Sequence, residues 1–201
     1  MTSYDNLLEL MRRNRSYRRF DASHTLTDDD LRRLVAPVRY CSSGRNIQAL
    51  KYRLVSSADE LAAVYPLLKW AGYLTDWDGP APEERPTGYI VQCLDTRLTS
   101  DCLCDDGLQI EAITLAATAC GLGCCIIKAF NAPALAETLG LPAALKPLYV
   151  IAVGKPVENV VIEDMAPEGD YKYYRDAEQT HHVPKRTLDE IIFKASGRTT
   201  V

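Results

Sequence analysis

A single mixed α/β domain spanning residues 1–201 is the fold class that the order of residues predicts. Polar capping residues precede short runs of helical periodicity at five places along the chain. Among them stand a stretch from about Asp105 to Gly121 that is apolar nearly all round, and Leu148 to Val153, an unbroken apolar run rich in β-branched residues. The first pattern belongs to helices covering a core, the second to a helix buried on most sides, the third to an interior strand.

Taken in order, Ser3 is placed to cap a first helix carrying Leu7, Leu8 and Met11. Thr27 to Asp30 reads as a capping box, with Leu26 and Leu31 as its hydrophobic staple, and the helix should stop near Pro37. Ser57 and Glu60 open a short helix that ends before Pro66. Asn131 opens another, through Leu135 and Leu139 to a stop at Gly140. Thr187 and Glu190 open the last, with Ile191 and Ile192 inside and Gly197 beyond. On the central helix, Leu108, Ala112, Leu115 and Ala119 form one stripe and Ile110, Ile113 and Ala117 another. Strands are expected at 52–55, 87–94, 124–127 and 148–153. Residues 66–86, with Trp70, Tyr73 and Trp77, read as a mobile or partly helical excursion.

Composition narrows the function. A net charge of −4 and a pI near 5.4 argue against a nucleic-acid partner. No run approaches the roughly 18 apolar residues of a membrane span. The first residues lack a basic region followed by an apolar one, and the seven cysteines are irregularly spaced, so a reducing cytoplasm is the expected location.

Four constellations could carry chemistry. Arg12, Arg13, Arg15, Arg18 and Arg19 crowd around Ser16, a set suited to a phosphate or simply a solvated helix end. Ser42-Ser43-Gly44-Arg45-Asn46-Ile47-Gln48 is either a polar loop or a small-residue approach to a planar heterocycle. In an extended segment its two amides would point the same way. Gly121-Leu122-Gly123 ends a helix and leads into Cys124-Cys125-Ile126-Ile127; it lacks the third glycine of a dinucleotide fingerprint. His181-His182-Val183-Pro184-Lys185-Arg186 adds cations before the last helix. The cysteines and histidines do not have zinc-site spacing, so no metal is expected.

In this order the four resemble the FMN-dependent nitroreductase family. The resemblance rests on Arg15-Ser16-Tyr17-Arg18-Arg19-Phe20, then Ser43-Gly44-Arg45-Asn46-Ile47-Gln48, the alanine-rich helix, Gly121-Leu122-Gly123, Gly154-Lys155-Pro156 and the late basic pair. It covers essentially the whole chain. It implies an α+β fold, a central mixed sheet flanked by helices, in an interwoven homodimer with FMN at the subunit interface. Carried over, Arg15, Ser16 and Arg18 hold the FMN phosphate, aided by Lys185 or Arg186. Asn46 and Gln48 meet the pyrimidine end of the ring, Ser42 and Ser43 approach from the partner subunit, and the backbone of Cys125, Ile126 and Ile127 lies near N5. NADH or NADPH would reduce the flavin and a small electron-poor acceptor would reoxidise it. The alternative is a flavin-fragmenting or dehalogenating relative, or a regulatory protein that binds FMN without turnover. The chain departs from the family at Asn14, often another arginine; at Ala49-Leu50, commonly Pro-Trp; and at Cys124, a Gly, Ser or Thr.

Overall fold

The computed structural model describes residues 2–166 and 168–193, in two compact units, Met1–Val157 and Glu158–Val201.

Capping chemistry sets most helix starts in the first unit. Helix α1 (Ser3–Arg13) is capped by Thr2, one residue earlier than expected, because Asp5 completes a capping box with it. Helix α2 (Asp28–Val35) has the Thr27–Asp30 box and passes into a 3-10 turn containing Pro37. Leu26 and Leu31 are both buried. Ser57 caps α3 (Ala58–Val64), which gives way to a 3-10 turn at Tyr65–Leu67. Asn131 caps α5 (Ala132–Thr138), and Gly140 follows at φ 59°. Helix α4 spans Asp105–Ala119.

The strands of this unit are β1 (Leu50–Val55), β2 (Gly88–Asp95), β3 (Gly123–Ile127) and β4 (Leu145–Gly154). They form one sheet in the order β1-β2-β4-β3. Every pairing within it is antiparallel, with an irregularity between Gln92 and Cys93. All eight residues of β2 are buried, which requires both faces of the sheet to be covered. Alternation divides the load. Tyr89, Val91, Cys93, Val150 and Ala152 join a core with Val64, Trp70 and Leu135. Ile90, Ile151 and Val153 join the other, with Leu31, Leu34, Ile110, Ile113 and Ala117. The core stripe of α4 is therefore Ile110, Ile113 and Ala117, while Leu108 of the other stripe is exposed. Trp70, within the expected excursion, is a core residue.

The second unit holds β5 (Val160–Asp164), β6 (Tyr174–Arg175) and β7 (His181–Lys185), ordered β5-β7-β6. Its β5–β7 pair is parallel and its β6–β7 pair antiparallel. Helix α6 (Leu188–Ile191) keeps the expected Thr187 box but is a single turn, so Ile192 is its cap and not an interior residue. Gly197 lies outside the described residues. No helix among the described residues is long and apolar enough to cross a membrane.

Candidate functional site

Helix α4 is the anchor for two of the predicted segments. Where α1 ends, the Asn14 amide donates to Glu111 Oε1 (3.1 Å) and Thr114 Oγ1 (2.9 Å), both on α4. Immediately afterwards the chain runs along β3: Tyr17 N–H donates to the Cys124 carbonyl at 2.9 Å, and Ser16 forms a parallel bridge with Cys124. The Tyr17 ring lies where a side chain at residue 123 would stand, for a Cβ added there would sit 2.6 Å from Tyr17 Cδ2. Gly123 is required by this contact, whereas the turn out of α4 is taken by Gly121 at φ 71°. The arginine motif and the Gly-Leu-Gly motif, separate in sequence, are thus one structure.

Within that structure the arginines divide. Arg15 donates from Nη2 to the Met11 carbonyl at 2.8 Å, while its Nε is buried without a hydrogen-bond partner among the described residues. Burial pulls its pKa down, against the opposing pull of Tyr17 and Glu111; a guanidinium nonetheless stays charged. Arg18 is 8% exposed and donates to the Ser16 carbonyl at 3.1 Å. Arg19 instead forms a two-pronged ion pair with Glu84, Nε to Oε2 at 2.8 Å, and serves the scaffold. A buried nitrogen with no acceptor, next to an exposed serine and a second guanidinium, fits a phosphate that would supply the missing acceptors.

The second segment is held by one carboxylate. Asp105, the first residue of α4 and 5% exposed, accepts from Ser43 Oγ (2.6 Å) and from Gly44 N–H (2.8 Å). Ser43 Oγ in turn accepts from Gln48 N–H at 3.0 Å. The extended conformation expected for Asn46 to Gln48 is not found. Gly44–Asn46 is a 3-10 turn, and Arg45, Asn46 and Gln48 have φ of 53°, 56° and 55°. The Asp105 clamp over-determines this backbone, which non-glycine residues rarely adopt. The two amides still meet, Gln48 Nε2 donating to Asn46 Oδ1 at 3.1 Å. Ser43, Asn46 and Gln48 line a cavity of about 250 Å³ with Arg39, Lys51 and Gln109. Ser42 is exposed beside it.

On β3, Cys125 and Ile127 are buried toward the core while Ile126 is 42% exposed. Burial pushes the Cys124 thiol far up and that of Cys93 to about 11, so neither is a ready thiolate. In the second unit, Lys185 ends β7 and is exposed; Arg186 follows and contacts Glu190 at 3.4 Å. His182, expected only as an added cation, is bracketed by Asp176 (2.9 Å) and Glu163 (3.2 Å) and stacks on Tyr174.

Asp105, Glu111, Thr114 and Tyr17 are the positioning residues that sequence reasoning missed. One signal was present: polar side chains spaced along a helix otherwise apolar all round.

The model of the nitroreductase family matches residues 104–155, from the start of α4 to the end of β4. Among solved structures, a nitroreductase family protein from Streptococcus pneumoniae TIGR4 is 18% identical, with 94% of this chain and 99% of that one covered and a TM-score of 0.66. An NADPH:FMN oxidoreductase from Vibrio harveyi, complexed with NAD+, is 23% identical over 81% of this chain and 74% of that one, TM-score 0.63. NfrA1 nitroreductase from B. subtilis is 23% identical over 75% and 66%, TM-score 0.60. At these identities the likeness establishes the fold. The chain has the nitroreductase fold, and its helix-to-strand segment 104–155 matches the nitroreductase family.

Proposed function

We propose that this protein is an FMN-dependent oxidoreductase that draws electrons from NADH or NADPH and passes them to a small electron-poor acceptor, such as a nitroaromatic or a quinone. The observation that carries the reading is the buried, unpartnered Nε of Arg15 beside Ser16 and Arg18, docked against Gly123 and Cys124. Bound FMN would supply two-electron hydride chemistry at N5, alternating between donor and acceptor.

The chain's own residues would bind and orient. Arg15, Ser16 and Arg18 would hold the phosphate. Asn46 and Gln48, with Ser42 and Ser43, would offer amide and hydroxyl groups to the ring's polar edge. The backbone of Cys125, Ile126 and Ile127 would lie along the ring.

A homodimer is part of the proposal, with residues 1–201 acting as one FMN-binding domain in a cytoplasmic protein. Helix α1 buries none of its residues within the chain, leaving Tyr4, Leu7 and Met11 exposed, and Leu108 on α4 is exposed as well. Unpartnered apolar faces of this kind suit a second copy.

The decisive experiment is an absorbance spectrum of the protein as purified, followed by anaerobic titration with each nicotinamide. Flavin absorbance on the protein, bleached by NADH or NADPH and restored by a quinone, is the expected result. A protein that retains no added FMN would overturn the reading. One that retains FMN but is reduced by neither nicotinamide would be a binding protein or a relative with other chemistry.

A further inference from the structure

The β1–β2 ladder pairs Leu50 with Leu94 at one end and Val55 with Tyr89 at the other. The Ser43–Gln48 segment leads into the first end. At the second end lies a separate cavity of about 230 Å³. Its apolar wall includes Ala22, Ala58, Leu61 and Ala62, and Arg85 and Tyr89 line it as well.

Arg85 makes no ion pair with an acid among the described residues. Its guanidinium carbon stands 3.9 Å from the centroid of the Tyr65 ring, and its Nε is buried with no hydrogen-bond partner among the described residues. The acidic neighbour in sequence, Glu84, is engaged by Arg19. The ring beneath Arg85 is fixed in turn, because Tyr65 donates its hydroxyl to the Pro80 carbonyl at 2.8 Å and packs at 6.1 Å from Trp70. Tyr89 is 1% exposed, and its hydroxyl makes no hydrogen bond to another described residue. Burial pushes the pKa of that hydroxyl far up, so it remains a donor. A buried donor such as the Arg85 Nε is ordinarily satisfied. A preorganised guanidinium and a phenol beside an apolar wall form the recognition set for a carboxylate with a hydrocarbon body.

We propose that this cavity binds a small apolar monocarboxylate, its carboxylate held by Arg85 and Tyr89 and its hydrocarbon part laid against Ala58, Leu61 and Ala62. The site is independent of the flavin reading and stands or falls without it.

The test is a titration of the intact protein with butanoate, with butanol as the neutral counterpart, followed through the Arg85 Nε–H signal in nitrogen-edited NMR. Saturable movement with butanoate and none with butanol is expected. Arg85→Gln should weaken butanoate binding on the order of tenfold or more, and Tyr89→Phe by a few-fold. Ala62→Phe, which fills the cavity and keeps Arg85, should abolish binding; it also keeps the test alive if Arg85→Gln fails to fold. Butanol binding as well as butanoate, or undiminished butanoate binding in a folded Ala62→Phe or Arg85→Gln protein, would overturn the proposal.

Discussion

The segments Arg15–Arg18 and Ser43–Gln48 are both polar, both tied to α4, and built on opposite plans. The first is docked by its backbone: a strand-like bridge to Cys124, a ring pressed on Gly123, and an amide from Asn14 reaching two α4 side chains. The second hangs on a single acid, Asp105, and carries three non-glycine residues with left-handed backbone. Distributed docking tolerates single losses. A conformation that its own residues resist does not, since it persists only while the clamp holds.

Removing the clamp should therefore have the largest effect. Asp105→Ala strands the Ser43 hydroxyl and the Gly44 N–H, and should cost about 3 kcal/mol in chemical denaturation. A loss under about 1 kcal/mol would mean that the turn holds itself, and the contrast between the segments would collapse. Asp105→Asn, which keeps an acceptor, should lie between.

On the other segment, Arg18→Ala should remove a charge-assisted contact and weaken FMN binding by about 1.5–3 kcal/mol, read by fluorescence titration. Fold stability should change less than in Asp105→Ala. Flavin retention equal to the parent would place the phosphate elsewhere.

Gly123→Ala tests the docking itself. Its new methyl meets the Tyr17 ring, and the overpacking should cost about 1–2 kcal/mol. Tyr17→Ala in the same chain should recover part of that loss, and a double-mutant cycle measures the coupling. Strict additivity would show that the ring contact is not what demands glycine.

Smaller still, Arg45→Gly should stabilise the turn by up to about 1 kcal/mol, because glycine accepts φ of 53° without penalty. Destabilisation would show that the Arg45 side chain contributes something the geometry does not reveal.

The mildest effect belongs to the second unit. Asp176 and Glu163 raise the pKa of His182 above its ordinary 6.5. The stability this contributes is complete below the unfolded value and is lost as pH rises through the raised one. Asp176, held below its ordinary value chiefly by the His182 hydrogen bond, contributes the reverse, lost as pH falls through its own lowered pKa. Stability should therefore fall in thermal melts as pH rises from 6.5 through the raised pKa of His182, and His182→Gln should flatten that limb. An unchanged limb would assign it to other groups.

These contrasts also explain what was legible in the sequence. Capping residues act within a few positions of themselves, so Thr27, Ser57, Asn131 and Thr187 marked their helices correctly. Short apolar runs marked all four strands of the large sheet, most plainly β2 and the second half of β4, where burial on both faces imposes them. The order of the polar motifs pointed to the fold. What escaped depended on contacts distant in sequence. Nothing local to Asn46 and Gln48 announces left-handed backbone, which Asp105 imposes from 62 residues away at Ser43. Likewise Arg15 and Arg19 look alike in the sequence, and only Glu84 separates the scaffold residue from the site residue.

The bond from Asn14 to Thr114 closes a loop of 100 residues, and the Ser16–Cys124 bridge closes a longer one. The entropic cost of closing a loop grows, if only logarithmically, with the sequence separation it bridges, so contacts of that span are expected to form after local ones. A nascent chain therefore exposes its arginine cluster long before the wall it docks on has been synthesised. The arginine segment is thus seated only after β3 has been made. Acquisition of a phosphate ligand by Arg15 and Arg18 would then report completed assembly of the large unit, making ligand uptake a natural stopwatch for its folding.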